Sequence, residues 1–316
     1  MIDKQLESAT ATAPATVSNV AVGFDILGFP LTGLGDEVTV RRSDTPGVQI
    51  VSIEGQVEVP QDAAENTATA GLLALVEERQ LSFGLEVEIK KGVPIHSGLG
   101  GSAASAVAGV MAASAVLDEP LGLPERFHYA LLGEKRACGK RRGDNIAPAM
   151  LGGLILVRSM DPFDVVRIPV PHDMGTVVVH PQLKVDVREA RQMLSTEIDF
   201  DDFVAQSANL AGFVAGCFRD DRPLIGRSLQ DLIVEPQRAG LIPGFQAVKK
   251  SAIDGGALGC SISGAGPALF ALHDFDIDPE PICEAMIAAF DEVGVEAQGL
   301  ISPINGIGGH VVARNQ

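Results

Sequence analysis

Aromatic side chains are scarce in this chain: they make up 4% of its 316 residues, with no Trp and Tyr129 as the one tyrosine. Platforms for stacking nucleic-acid bases are therefore not expected, and the cores must be filled by Val, Ile, Leu and Ala. Basic residues are also few. Lys and Arg number 24 against 41 acidic residues, a formal charge of −17 that repels DNA, RNA and anionic lipid, so no nucleic-acid and no membrane partner is expected. That field does not exclude a small anion, because backbone amides, a helix end or a divalent cation reverse it locally. The four cysteines, Cys138, Cys217, Cys260 and Cys283, lie far apart without a Cys-x-x-Cys pair, which fits reduced thiols in a cytoplasmic protein better than disulfides or a zinc site. No uninterrupted apolar run approaches the ~20 residues that cross a bilayer. The first residues, with Asp3, Lys4 and Glu7, lack the apolar centre of a signal peptide.

What the chain does have is glycine, 35 residues in all, and two glycine-rich stretches stand out. The first, Pro94 to Ser105, places Ser97, Gly98, Gly100, Gly101 and Ser102 just before an uncharged run from Ala103 to Ala113. A pliable loop entering a helix suits an anion, since the unpaired N–H groups of the first turn and the positive end of the helix dipole face the loop. A glycine-rich turn before a tightly packed helix is the plainer reading, and the loop alone does not separate the two. A Walker loop requires a lysine after its glycines, and none follows here. Gly98-x-Gly100-x-x-Ala103 satisfies a dinucleotide fingerprint, but the acidic residue at the required distance, Asp118, stands in an Asp-Glu-Pro turn and not at a strand end.

Alternation predicts strands over residues 36–42, 48–53 and 85–89, residues 154–157 and 165–170 resemble strands, 176–179 opens a second domain, and helical periodicity predicts helices over 66–79, 102–117 and 125–138. Further helices are expected at 187–194, 202–219, 222–233, 242–253 and 279–292. The second glycine-rich stretch, Gly255 to Pro267, precedes a strand at 268–272, and Gly306 to Val312 reads as a final edge strand. Interleaved strands and helices without a regular repeat indicate an α+β protein.

Several polar residues sit where a solvated role is not the only choice. Asp25, set among apolar neighbours, must face solvent, cap a turn or meet a cation, because burying an unpaired carboxylate costs several kcal/mol. Asn19 lies six residues before it. Glu134 falls on a helix, where most glutamates are solvated. Lys140, Arg141 and Arg142 form either a phosphate-facing edge or a solvated loop, and Asp144-Asn145 enters an apolar segment as though to meet something at a core edge. Arg191 and Arg238 are candidate anion ligands, with a surface ion pair as the alternative for each.

The stretch Pro94-x-x-Ser97-Gly98-Leu99-Gly100-Gly101-Ser102-Ala103-Ala104 closely resembles the phosphate loop of the GHMP small-molecule kinases. Ser18 to Gly28 resembles the amino-terminal motif of the homoserine kinases within that superfamily. The likeness continues through Gly143-Asp144-Asn145-Ile146-Ala147-Pro148, Arg188-Glu189-Ala190-Arg191, Glu235-Pro236-Gln237-Arg238 and Ile262 to Pro267, in the family's order. The resemblance implies a two-domain GHMP kinase fold: an amino-terminal domain like ribosomal protein S5 domain two over residues 1–170, and a ferredoxin-like domain over 171–316. It implies ATP on Ser97, Gly98, Leu99, Gly100, Gly101, Ser102, Ala103 and Ala104, with Asn66 at the adenine side and Mg²⁺ held by Ser102 and Glu134. Homoserine is the implied acceptor, its ammonium met by Asp25 and Asp144, its carboxylate by Arg191 and Arg238, and the remainder oriented by Asn19 and Asn145. Asp144 is alternatively a general base. Arg142 replaces the family's usual histidine and Val187 its usual threonine, both near the acceptor pocket. These departures leave room for a kinase of another small hydroxy compound such as threonine, and a catalytically silent nucleotide-binding regulator is the reading from a different class. A homodimer is a family expectation.

Overall fold

The computed structural model describes residues 7–55, 59–139 and 142–315, so Lys140 and Arg141 lie outside the described residues. The first strand, β1 (Ser8–Ser18), carries alanine at positions 9, 11, 13 and 15, all fully buried. One face of β1 is thus a row of methyl groups. After β2 (Leu27–Ser43) and β3 (Val48–Glu54), helix α1 (Thr67–Glu78) crosses to β4 (Gly84–Lys90), which runs parallel to β3. Helix α2 (Gly101–Val116) is built from Gly, Ala, Ser, Val and Met and packs across β1 and β2. A β-carbon on its Gly109 would fall 2.4 Å from the Ala68 carbonyl oxygen, so α1 and α2 touch through backbone. Small residues along β1 and α2 let these layers close up, which keeps interior density without aromatics there.

Helices α3 (Leu123–Cys138) and α4 (Ile146–Leu151) complete this layer, followed by the hairpin β5 (Leu154–Met160) and β6 (Phe163–Ile168). A second sheet begins at β7 (Gly175–Pro181). Helices α5 (Val187–Gln192), α6 (Phe200–Arg219), α7 (Arg222–Ser228), α8 (Glu235–Arg238) and α9 (Phe245–Asp254) intervene before β8 (Gly259–Ile262) and β9 (Leu269–His273). Then α10 (Pro279–Asp291) leads to β10 (Ala297–Pro303). The order β10-β7-β9-β8, all antiparallel, with helices after its first and third strands, is the β-α-β-β-α-β pattern of a ferredoxin-like layer. The last strand, β11 (His310–Asn315), returns to the first sheet and pairs with β1 at its edge, giving the order β11-β1-β2-β4-β3, with β5 pairing β2 and β6 pairing β5.

One apolar core belongs to both sheets. Phe29 of β2 meets Phe270 of β9 edge-on at 6.2 Å, within a buried cluster that also holds Val17, Leu99, Val178 and Phe213. An apolar seam of this kind holds the two halves in one placement, where a polar interface would leave them free to rotate. Any site at the seam therefore has fixed walls.

Several expected elements differ in extent. The helix expected over 222–233 stops at Ser228, because the Asp231 carboxylate accepts from the N–H groups of Ile233, Val234 and Glu235 and turns the chain into α8. Strand β2 begins at Leu27, well before residue 36. Strands β8 and β10 and helix α4 were not expected from the sequence pattern.

Candidate active site

At the seam lies a cavity of about 430 Å³, lined from the first half by Ser18, Asn19, Asn66, Lys91, the loop from Pro94 to Ser102, Glu134, Arg142, Asp144 and Asn145, and from the second by Val187, Arg188, Arg238, Gly264 and Ala265. The loop is shaped by its own bonds. Ser97 Oγ donates to the Pro94 carbonyl (2.7 Å) and accepts from Leu99 N–H (3.2 Å), while Gly98 and Gly100 take left-handed φ values of +79° and +65°. Glycine is required at both for space as well. A β-carbon at Gly98 would sit 2.6 Å from the Ser263 carbonyl oxygen, and one at Gly100 would sit 2.0 Å from Thr16 Oγ1. Helix α2 starts at this loop with no side-chain cap, so its first N–H groups are left for whatever enters the cavity.

The two glycine-rich stretches clasp each other. Ser263 Oγ donates to the Gly98 carbonyl (2.8 Å), Ala268 N–H to the Ser97 carbonyl (3.1 Å), and Gly264 N–H to the Ser18 carbonyl (3.2 Å). The Gly264 carbonyl in turn accepts from Asn19 Nδ2 (2.8 Å) and Arg238 Nη1 (3.0 Å). Beneath the loop, Lys91 is buried in an ion pair with Asp36 and donates to the Gly101 carbonyl and Ser105 Oγ, both at 2.9 Å. It anchors the helix start and lines the cavity.

Several charged side chains face the same cavity. Asp144 is buried, and its Oδ1 has no hydrogen-bond partner. Burial, reinforced by nearby Asp25, pushes its carboxyl up to about 7; Arg142 opposes that shift. Arg238 is 2% exposed, donating through Nε to the Ala190 carbonyl (3.2 Å) while its Nη2 has no partner. Burial lowers its pKa to about 10, and the neighbouring Arg142 guanidinium pushes the same way. Asn145 is fixed by Thr16 Oγ1, which donates to its Oδ1 (2.7 Å), and by its own Nδ2, which donates to Ser18 Oγ (3.1 Å).

Asn19, Asn66, Ser97, Gly98, Leu99, Gly100, Gly101, Ser102, Glu134, Arg142, Asp144, Asn145 and Arg238 all line the one cavity. Ala103 and Ala104 do not: both are fully buried behind the loop and can offer only backbone. Asp25 and Arg191 also stand outside the lining, joined to each other at 2.6 Å, with Arg142 3.8 Å from Asp25. Asn66 is committed as the cap of α1, accepting from Ala68 N–H (3.0 Å) and donating to the Pro60 carbonyl (2.7 Å). Glu134, 2% exposed, is not the solvated helix glutamate of the plainer reading. Sequence reasoning missed Lys91 and Arg188. Lys91 carried a signal only in its place, directly after β4 and before Gly92, and Arg188 in opening the Arg188-Glu189-Ala190-Arg191 segment of the resemblance.

Among the described residues no group of three or more His, Cys, Asp or Glu side chains is placed to hold a metal ion, and no helix is long and apolar enough to cross a membrane. The hydroxyl of Ser102 and the carboxylate of Glu134 are hard oxygen donors on one cavity. That is the kind of set Mg²⁺ uses when substrate phosphates and water supply the rest of its coordination.

A fold of two α+β layers with a glycine cradle at their seam is that of a small-molecule kinase. The models of the GHMP kinases N terminal domain and the GHMP kinases C terminal domain match residues 66–153 and 212–292. Homoserine kinase of Xanthomonas campestris pv. campestris is 47% identical over 301 residues, covering 95% of this chain and 92% of that protein. Homoserine kinase of Chloroherpeton thalassium is 41% identical, with 97% and 100% covered. The crystal structure of homoserine kinase from Cytophaga hutchinsonii superposes with a TM-score of 0.94 at 44% identity, covering 99% of both chains. The chain belongs to the homoserine kinases of the GHMP kinase family.

Proposed function

We propose that the protein transfers the γ-phosphoryl group of ATP to the side-chain hydroxyl of L-homoserine, giving O-phospho-L-homoserine, a step of threonine biosynthesis. The observation that carries this reading is a pair of buried, unsatisfied polar atoms on one cavity: the acceptor Oδ1 of Asp144 and the donor Nη2 of Arg238. Each such atom costs about 1–3 kcal/mol until something satisfies it. An amino-acid zwitterion, with a cation and an anion on one carbon, satisfies both. Family membership supports the same acceptor.

In this reading the ATP phosphates lie against the N–H groups of Gly98 to Ala104, where α2 begins, and the adenine lies toward Asn66. Mg²⁺, held by Ser102 and Glu134, supplies neutralisation of charge on the phosphate oxygens. Asp144 and Asp25 take the substrate ammonium, Arg238 and Arg191 its carboxylate, while Asn19, Asn145 and Arg142 set its orientation. Phosphoryl transfer needs positioning and charge stabilisation more than covalent help, and the seam supplies both. The carboxyl of Asp144, lifted to about 7, favours a second role for it, accepting the hydroxyl proton. The reading divides the chain near residue 170, with β11 rejoining the first unit. It places the enzyme in the cytoplasm as a homodimer, and the buried free thiols of Cys217, Cys260 and Cys283 agree with a reducing compartment.

The test is ATP consumption in the presence of homoserine, threonine, serine or mevalonate. Turnover with homoserine at a kcat/KM at least about a hundredfold above the others is expected. Preference for threonine would transfer the reading to Arg142 and Val187 as determinants of another acceptor, and turnover with none would leave a nucleotide-binding regulator.

A further inference from the structure

Phe24 stands on a backbone of unusual shape. Asn19, Val20 and Ala21 are three consecutive non-glycine residues in the left-handed region, with φ of 69°, 44° and 57°, and Asp25 follows at 62°. Left-handed backbone is unfavourable for such residues, most of all for β-branched Val20, and persists only where surrounding contacts impose it. Here the turn is closed by Gly23 N–H donating to the Asn19 carbonyl (2.8 Å), Asn19 N–H to the Leu27 carbonyl (2.8 Å) and Leu27 N–H to the Gly23 carbonyl (2.9 Å). The turn projects the half-buried Phe24 ring across the seam, outside the apolar clusters of the core. There the ring lies against two guanidiniums, with Arg191 Cζ 4.7 Å and Arg238 Cζ 5.2 Å from its centroid.

We propose that Phe24 is a positioning residue for the acceptor's carboxylate, holding the guanidiniums of Arg191 and Arg238 at one ring so that both serve the same anion. Two arginines from separate helices, α5 and α8, repel each other, and Arg142 adds a third positive charge nearby. A ring face attracts each cation while setting where it stands, which an aliphatic side chain of similar volume cannot do. The Arg238 side chain is held by backbone carbonyls at Nε and Nη1, and the ring is a further contact against the same guanidinium, whose Nη2 has no partner. The inference rests on the homoserine reading and deepens it, because it says how the carboxylate is told from an uncharged group.

The experiment is steady-state kinetics of the wild type, Phe24→Leu and Phe24→Tyr with L-homoserine and with its carboxamide, which keeps the ammonium and the hydroxyl but lacks the negative charge. Phe24→Leu is expected to raise the KM for homoserine about tenfold, on the scale of a desolvated cation–π contact. The KM for ATP, the KM for the carboxamide and kcat should stay within about twofold, and Phe24→Tyr should restore the wild-type KM. An unchanged homoserine KM in Phe24→Leu overturns the proposal, as does an equal rise for homoserine, carboxamide and ATP, which is general loosening of the fold. A wild type that does not turn over homoserine overturns the acceptor reading and this inference with it, whereas normal wild-type turnover with an indifferent Phe24→Leu overturns the inference alone.

Discussion

Replacing Asp144 by Asn should make the ligand-free protein more stable at neutral pH, and the size of the gain follows from the burial of the carboxyl. The unfolded chain releases this proton near 3.8 and the folded protein near about 7. Between those values the folded state holds a proton that the unfolded state has lost, so stability falls as pH rises. The contribution of Asp144 is fully present below the unfolded value and is gone once pH has passed through about 7. At about 1.36 kcal/mol per pH unit, the whole interval corresponds to about 4 kcal/mol. Asparagine cannot ionise and has no such slope.

The measurement is urea unfolding of both proteins without ligands at pH values from about 5 to about 8. Relative to Asp144→Asn, the wild type should lose about 3 kcal/mol across that range and level off above it. Saturating homoserine should reverse much of the loss, since its ammonium favours the ionised carboxylate. Parallel stability curves would show that the carboxyl titrates as an ordinary aspartate, and the case for a proton acceptor at this position would go with it. The same carboxyl should appear in catalysis as a rise in kcat/KM through about pH 7, because that parameter reports groups of the free enzyme.

Glu134→Gln should raise the Mg²⁺ concentration needed for half-maximal activity by about tenfold while leaving the homoserine KM in place, read from a metal titration at fixed ATP; an unaltered titration would remove Glu134 from the metal site. Gly98→Ala puts a methyl group 2.6 Å from the Ser263 carbonyl oxygen at a φ of +79°, so the phosphate loop must move. Its kcat/KM for ATP should drop at least about tenfold, and a value near wild type would mean that the clasp between the two glycine stretches does not set the loop's shape.

The sequence showed the regular elements well where a side-chain pattern existed, as in the helix from Thr67 and the strand from Gly84. It failed where pairing alone makes the element. All four residues of β8 are buried, so no alternation marks it, and its first residue is glycine. In the site, Asp25 was limited to solvent, a turn or a cation by the cost of burial, but its partner Arg191 lies 166 positions away and nothing local names it. Nothing local marked Lys91 as buried, because its partner Asp36 lies 55 positions earlier. The charged residues were legible as chemistry, and the distances among them were not.

Those distances bear on Arg142 and Val187, the positions near the acceptor pocket where the family resemblance leads one to expect histidine and threonine. Arg142 comes within 3.8 Å of Asp25, which already pairs with Arg191 at 2.6 Å. Asp25 therefore meets two guanidiniums before any substrate arrives, and a substrate ammonium must compete with both for it. Asp144 has no such competitor at Oδ1. In the proposed complex the ammonium thus takes its main hold from Asp144, while Asp25, which also meets it, bridges Arg191 and Arg142. Val187 begins α5 beside the Asp186 cap and lines the cavity with a side chain that carries no polar atom, so it adds no polar demand of its own. Neither position withdraws Asp144 Oδ1 or Arg238 Nη2, the unsatisfied groups that a zwitterion would meet, which favours retention of homoserine over a change of substrate.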